Sequence, residues 1–266
     1  VIQIGVNWTS PRDANVIHQL VRSGNIDFVE IMIDNFIMTD TSSFLKVVDG
    51  IPCSFHIMNS RFIHRPEGEL VDMLRIIREH AGALHPTYIS DHLGCFYYKG
   101  MELPRMAEIE YDSMFDVVRG RVELFQDCIG HPVLFENYPS VIRGLGLGQP
   151  KFLNDLCEVT GCGVLFDISN ADIASQNTGL DLNAWIPVIG RSQHFHIGGY
   201  AETSFQPSFI VDTHDTNLSE SSLNFTVSYV RPYASVSSVV VERDVNLDVE
   251  AWEIDIDKVR GSLSEQ

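Results

Sequence analysis

Val133–Asn170 reads VLFENYPSVIRGLGLGQPKFLNDLCEVTGCGVLFDISN, and the order of patterns within it decides the fold. Two short runs rich in Val, Leu and Phe, Val133–Glu136 and Gly163–Phe166, flank a helical pattern near Pro150–Val159. Both runs are apolar on consecutive positions, as strands covered on both faces must be. Strand, helix, strand predicts parallel pairing, because a parallel neighbour can be reached only through a crossover.

The same alternation continues in both directions. Further strands are expected near Ile2–Trp8, Phe28–Ile33, Pro52–Ile57, Tyr88–Asp91, His194–Ile197 and Val239–Glu242. Helices are expected near Asp13–Arg22, Ser42–Val48, Glu67–Ala83, Tyr111–Cys128, Leu182–Ile189, Glu220–Tyr229 and Val249–Arg260. Eight strands, each followed by a helix, predict an α/β chain folded as a TIM-type (β/α)8 barrel, one domain over residues 1–266. The stretch Cys95–Ile109 is a longer connection, placed where such loops cover the active-site face. Arg143–Gly148 (RGLGLG) lacks the G-K-[ST] of a phosphate loop and the full G-x-G-x-x-G spacing, so it reads as a flexible βα loop.

Composition narrows the partners. Thirty-six acidic residues against eighteen basic ones give a net charge of −18, which disfavours a nucleic-acid partner and would attract a basic peptide or protein. No apolar run is long enough for a transmembrane helix, and the opening VIQIGVNW lacks the features of a signal peptide. Five cysteines without a C-x-x-C pair suit a reducing compartment, so a cytoplasmic location is expected. Cys95 reads as a buried free thiol rather than a site residue.

The chemistry gathers at the strand ends, where barrels of this kind carry their active sites. Strand three ends in Phe55-His56, strand four in Asp91-His92 and strand five in Phe135-Glu136-Asn137. Strand six ends in Phe166-Asp167, strand seven in Phe195-His196 and strand eight in Glu242-Arg243-Asp244. Side chains alternate across a strand. If His56, Glu136, Asp167 and His196 face inward, then Phe55, Phe135, Phe166 and Phe195 face the helices. Taken singly, each His reads as a hydrogen-bonded core residue and each acid as a helix cap. Taken together they do not, because converging carboxylates raise one another's pKa unless a cation sits among them.

Three imidazoles (His56, His92, His196) and three carboxylates (Glu136, Asp167, Glu242) suffice for two metals with one bridging carboxylate. Asp212 and His214, in the loop after strand seven, have the spacing to hold a third ion with Asn170, an amide ligand that makes this site the looser one. A surface loop is the alternative for Asp212 and His214. The mixed nitrogen and oxygen donors suit iron, zinc or manganese, and the lack of thiolates argues against a structural zinc knot.

At these residues the sequence resembles the xylose isomerase/endonuclease IV group of barrels. More specifically, FHIMNSRF (55–62), YISDH (88–92), LFENYPS (134–140), LFDISNA (165–171), HFHIGGY (194–200), DTHD (212–215) and ERD (242–244) resemble the MbnB family. MbnB proteins are the iron-containing subunits of methanobactin biosynthetic oxidases, and the likeness runs from strand one to strand eight. Asn170 stands where the endonuclease branch has His; the MbnB-like branch also has Asn. The resemblance implies a heterodimer with an MbnC-like partner protein acting on an MbnA-like ribosomal precursor peptide. It also implies two or three iron ions, mixed-valence Fe(II)/Fe(III), and dioxygen as co-substrate, which oxidise peptide cysteines to oxazolone–thioamide groups of the copper chelator methanobactin. Carried over, Glu136 bridges one iron held by His56 and His92 and another held by Asp167, His196 and Glu242, while Asn170, Asp212 and His214 hold the third. Asp244 is the candidate catalytic base, with a salt bridge to Arg243 or another basic residue as its structural alternative.

Two other functions are consistent with such a barrel. One is a hydrolase or isomerase using redox-inert metal. The four lysines (Lys46, Lys99, Lys151, Lys258) lie away from the expected strand ends, and the acidic charge disfavours a DNA-cutting role. The other is a metal-loaded peptide-binding subunit without chemistry of its own, which gains little from converging carboxylates.

Overall fold

The computed structural model describes residues 1–264. The eight central strands are β1 (Gln3–Trp8), β2 (Phe28–Met32), β3 (Cys53–Ile57), β4 (Ile89–His92), β7 (Leu134–Glu136), β8 (Gly163–Asp167), β9 (His194–Gly198) and β12 (Ser238–Glu242). Two antiparallel hairpins interrupt the series: β5 (Cys95–Tyr98) with β6 (Met101–Ala107), and β10 (Tyr200–Glu202) with β11 (Ile210–Asp212). The eight strands pair in parallel and close in the order β1-β12-β9-β8-β7-β4-β3-β2, a (β/α)8 barrel.

The helices form because their apolar residues recur on one face. Glu67–Leu84 buries Leu70, Leu74 and Ile77, and Phe115–Ile129 buries Val118, Val122, Phe125 and Ile129. Each such side chain taken from water contributes about 1.5–3 kcal/mol. Gly130, at φ 92°, ends the second of these helices in the left-handed conformation that glycine tolerates.

The outward strand residues meet these helices. Phe55, Phe135, Phe166 and Phe195 are fully buried. Phe135 lies 5.0 Å from Phe62 and 6.0 Å from Phe125, and Phe166 lies 5.4 Å from Trp185. Inward positions at the strand ends, His56, Glu136, Asp167, His196 and Glu242, are polar, while Met32, Leu165 and Val240 beside them are apolar, so the upper barrel interior carries the site.

Three features depart from the sequence expectation. A helix at Ile168–Thr178 follows β8 directly, where none was expected before Leu182. It buries Ser169, Asn170, Asp172 and Thr178 along with its apolar residues, so it shows no polar face. The Cys95–Ile109 connection is mostly hairpin, and Arg143–Gly146 within the RGLGLG segment forms a short helical turn rather than an open loop.

Candidate metal centre

The upper layer of the barrel interior holds the expected residues in one cluster. His56 is 1 % and His196 0 % exposed, and the rings of His56 and His92 stand 4.5 Å apart. Glu136 Oε2 lies 3.4 Å from His56 Nε2 and 3.3 Å from His92 Nε2. Glu136 Oε1 lies 3.9 Å from His196 Nδ1, and that nitrogen is 3.2 Å from Glu242 Oε2. One carboxylate therefore faces two groups of donors. Glu136 belongs to two sets of side chains spaced to hold an ion, with His56 and His92 and with Asp167 and His196.

The third group comes from the β10–β11 hairpin, which folds Asp212 and His214 back over the barrel mouth. His214 Nε2 lies 2.7 Å from Asp212 Oδ1 and 3.5 Å from Glu242 Oε2. Asp167, His214 and Glu242 also fall within one set of ion-holding spacing. Asp167 and Glu242 thus stand between the second and third groups. His214 occupies the left-handed region at φ 48°, a conformation held by its backbone bond to Gly199 and by Asp244 N–H donating to its carbonyl. Gly198 makes room for the ring, since a Cβ there would stand 2.5 Å from His214 Cδ2.

Hydrogen bonds fix three of the imidazoles in one sense. Ser90 Oγ donates to Phe55 O, so it accepts from His56 Nδ1 at 2.8 Å. His92 Nδ1 faces Ile57 O at 3.2 Å, and His214 Nδ1 donates to Asp244 Oδ2 at 3.2 Å. Each therefore turns Nε2 toward the carboxylates, the usual role of outer partners around a metal-binding His.

Asp167 serves two ends at once. Its Oδ1 caps the following helix by accepting from Asn170 N–H at 2.8 Å, and its Oδ2 has no hydrogen-bond partner. The cap and the ligand readings of this residue are compatible, one oxygen each. Asn137 braces the same strand end by pairing with both backbone groups of Asp167 at 2.8 and 2.7 Å. Asn170 spends its amide protons on Glu136 Oε1 and Asn137 O, which leaves its buried Oδ1 unpartnered.

The unsatisfied atoms test whether a metal fits. Glu136 Oε2, Asp167 Oδ2, Asp212 Oδ1, His214 Nε2 and Glu242 Oε2, all in this cluster, are buried without a hydrogen-bond partner, as is Oδ1 of Asn170, which turns its Nδ2 to Glu136. Buried polar atoms are ordinarily paired. Several orphaned oxygens and an imidazole nitrogen in one place are a set of donors without an acceptor, and a group of divalent cations satisfies them. The donors are imidazole, carboxylate and amide, which suits iron, manganese or zinc.

Electrostatics tell the same story. Burial drives the Glu136 carboxyl well above the usual carboxylate range, against the pull of His196 and with help from Asp167 and Glu242. Burial and the neighbouring Glu242 and Asp212 push Asp167 up to about 7. Burial opposes charge on His196 and His214, yet the surrounding carboxylates raise both well above the ordinary histidine value. Glu242 is pulled down to about 2, because those two imidazoliums outweigh its burial. Burial lowers His56 and His92. The cluster without metal keeps protons where cations would otherwise sit.

A cavity of about 300 Å³ opens above the cluster. Its walls include His56, His92, Glu136, Asn170, Asp212, His214, Glu242 and Asp244, with Arg105 and Met106 of β6 overhead. The β5–β6 hairpin can sit so close because Gly94 has no side chain; a Cβ there would collide with Met106. Asp244 stands at the rim, 41 % exposed, its Oδ1 accepting from Asn7 Nδ2 at 3.0 Å. It does not pair with Arg243, whose guanidinium turns away to Asp255 at 2.8 Å.

Several contributors were not singled out from sequence. Ser90 and Asn7 sit one residue type away from notice, as ordinary polar positions inside strands. Glu30, 1 % exposed in the middle of β2, lies 2.7 Å from His196 Nε2. Strand parity would have found Glu30, since Val29 and Ile31 face the helices.

A closed (β/α)8 barrel with a buried cluster of imidazoles and carboxylates at its strand ends defines a candidate metal-binding barrel. The comparison with solved structures agrees in fold. A xylose isomerase-like TIM barrel protein from Mycobacterium smegmatis, in complex with magnesium, superposes with a TM-score of 0.64 at 13 % identity, covering 99 % of this chain and 98 % of that one. D-Psicose 3-epimerase from Clostridium cellulolyticum H10 gives 0.66 at 11 % identity, covering 98 % and 99 %. Residues 3–260 match the family described as RiPP precursor modification enzyme MbnB/TglH/ChrH, and the chain belongs to that family, whose enzymes act on ribosomally made peptides. A UPF0276 protein of Caulobacter vibrioides is 26 % identical over 247 residues, covering 88 % of this chain and 86 % of its own. One from Psychromonas ingrahamii is 21 % identical over 272 residues, covering 99 % and 91 %. No helix among the described residues is long and apolar enough to cross a membrane.

Proposed function

We propose that this chain is the metal-bearing subunit of an oxidase that modifies cysteine residues of an MbnA-like precursor peptide, working with a small MbnC-like partner. The observation that carries the reading is Glu136, whose two oxygens face separate imidazole groups within a family of peptide-modifying enzymes. In this reading Glu136 would be shared between an ion held by His56 and His92 and a second held by Asp167, His196 and Glu242. Asn170, Asp212 and His214 would hold a third, with Asp167 and Glu242 close enough to contribute to it.

Iron, when bound, would supply Lewis acidity toward a cysteine thiolate and the electron capacity to use dioxygen. The chain's own residues do the rest. The cavity, lined by four acids (Glu136, Asp212, Glu242 and Asp244) and by Arg105, admits a peptide segment and excludes bulk water once the segment covers it. Asp244, held by Asn7 and His214 at the solvent side of the cluster, takes the proton released from the cysteine as it is oxidised. The peptide loses hydrogen, and dioxygen takes up the electrons and protons as water. The products in this reading are oxazolone and thioamide groups.

Purified iron-loaded protein, its partner and the precursor peptide are expected to consume dioxygen and lower the peptide mass by loss of hydrogen. Equal turnover by a preparation carrying zinc alone would rule out the redox chemistry.

A further inference from the structure

We infer that Glu30 is a positioning residue that makes His196 bind its metal through Nδ1, opposite to the other three imidazoles. The inference rests on reading the cluster as a metal centre. Glu30 lies one layer deeper in the barrel than the ligands, on β2, where its register partner on β3 is Ser54 and that of Met32 is His56. Its carboxylate is buried: Tyr88 Oη donates to Oε2 at 2.6 Å, and Oε1 stands 2.7 Å from His196 Nε2, two atoms that have no hydrogen-bond partner of their own. Tyr88 is itself packed against the His194 ring, at 4.4 Å between centroids.

His196 is thus a plank between two carboxylate layers. Nε2 faces Glu30 below, and Nδ1 faces Glu242 at 3.2 Å and Glu136 at 3.9 Å above. When one ring nitrogen holds a metal, the other carries the proton. A proton on Nδ1 would aim the Nε2 lone pair at a carboxylate oxygen 2.7 Å away, in a buried site where neither could be solvated. A proton on Nε2 instead sets an N–H beside that carboxylate oxygen and leaves the Nδ1 lone pair facing Glu136 and Glu242. His56, His92 and His214 spend their Nδ1 protons on Ser90, Ile57 O and Asp244, so they present Nε2 instead. A ligand role for Glu30 itself fits less well. Glu30, His196 and Glu242 do stand at ion-holding spacing, but Glu30 does not line the cavity where the other ligands meet.

The test uses the protein loaded with Zn(II), a diamagnetic probe, and labelled with 15N-histidine. Long-range 1H–15N correlations are expected to show His196 protonated at Nε2 and metal-bound at Nδ1, and the other three ligands reversed. Metal-bound Nε2 at His196 would overturn the inference alone, whereas a protein that takes up no metal would overturn the metal reading with it. In competition with a chelator, Glu30→Leu is expected to weaken Zn(II) affinity by about 10–100-fold. Glu30→Gln, whose amide oxygen still accepts from Nε2–H, is expected to recover most of that loss. Undiminished affinity in Glu30→Leu contradicts positioning, and loss of a whole metal equivalent in Glu30→Gln would make Glu30 a ligand instead. Melting of the metal-free variants controls for folding.

Discussion

His214 and Asp244 are joined by a 3.2 Å hydrogen bond from imidazole Nδ1 to carboxylate Oδ2, while Asn7 holds the other carboxylate oxygen at 3.0 Å. The bond fixes which nitrogen of His214 faces Asp212 and Glu242. It also fixes Asp244 at the cavity rim, 41 % exposed, where a proton can be passed to water. In the proposed function this one side chain has both an orienting duty and an acid–base duty, and substitutions separate them.

Asp244→Asn keeps an oxygen for the His214 N–H but cannot take up a proton. Metal content is expected to stay at the wild-type level while turnover falls by about 10²–10⁴-fold, the usual worth of a general base. Asp244→Ala removes both duties and is expected to lose the third ion as well. Metal analysis beside peptide mass spectrometry reads the two effects, and wild-type turnover in Asp244→Asn would leave Asp244 an orienting group only.

Gly198→Ala places a methyl group 2.5 Å from His214 Cδ2. The ring cannot yield without leaving Asp212, and the cost of overpacking is about 1–3 kcal/mol. The expected result is a protein that still folds, melts a few degrees lower and retains the ions near His56 and His196 but not the one near His214. Full metal content in this variant would mean that His214 is not a ligand.

The barrel was legible in the sequence because its strands are short Val-, Ile- and Phe-rich runs with a polar residue at each end. Parity then separated Phe135 from Glu136 and Phe195 from His196. The Ile168–Thr178 helix escaped because it buries polar residues (Ser169, Asn170 and Asp172) among its apolar ones and exposes only Gln176, and so has no amphipathic period. Glu30 escaped because FVEIM looks like an apolar strand whose one acid sits in mid-run. The hairpins that bring Arg105 and His214 over the mouth seat the side chains of Met106 and His214 against Gly94 and Gly198, which spacing alone does not reveal.

Removing the metal is expected to make stability fall as pH rises above about 6.5. In the metal-free fold Asp167 titrates near 7 against an ordinary value of 3.8, so the folded form holds more protons than the unfolded chain between those limits. Burial is overcome by neighbouring carboxylates at His196 and His214, which are raised above 6.5 and act in the same direction. His56 and His92, lowered below 6.5 by burial, have made their contribution by that point, and Glu242, at about 2, matters only in acid. Metal replaces those protons and binds better as pH rises. Calorimetry at pH 6.5 and pH 8, with chelator and with excess metal, should show the falling slope only in the chelated sample; parallel slopes would contradict the argument.

Glu136 distinguishes a shared carboxylate from an ordinary ligand. Its Oε2 lies within 3.4 Å of His56 and His92, and its Oε1 faces His196 at 3.9 Å. Glu136→Gln leaves one oxygen and adds an amide N–H₂ that cannot coordinate, so both adjoining ions are weakened together. Asp212→Asn touches only the His214 group and is expected to release one ion. The same Glu136→Gln change removes a carboxyl whose ionisation is strongly opposed by burial, so the metal-free variant is expected to melt above metal-free wild type at pH 8, a gain in stability bought with function. Metal stoichiometry and melting of the two variants check both halves, and a single ion lost from each would remove Glu136 from its bridging place.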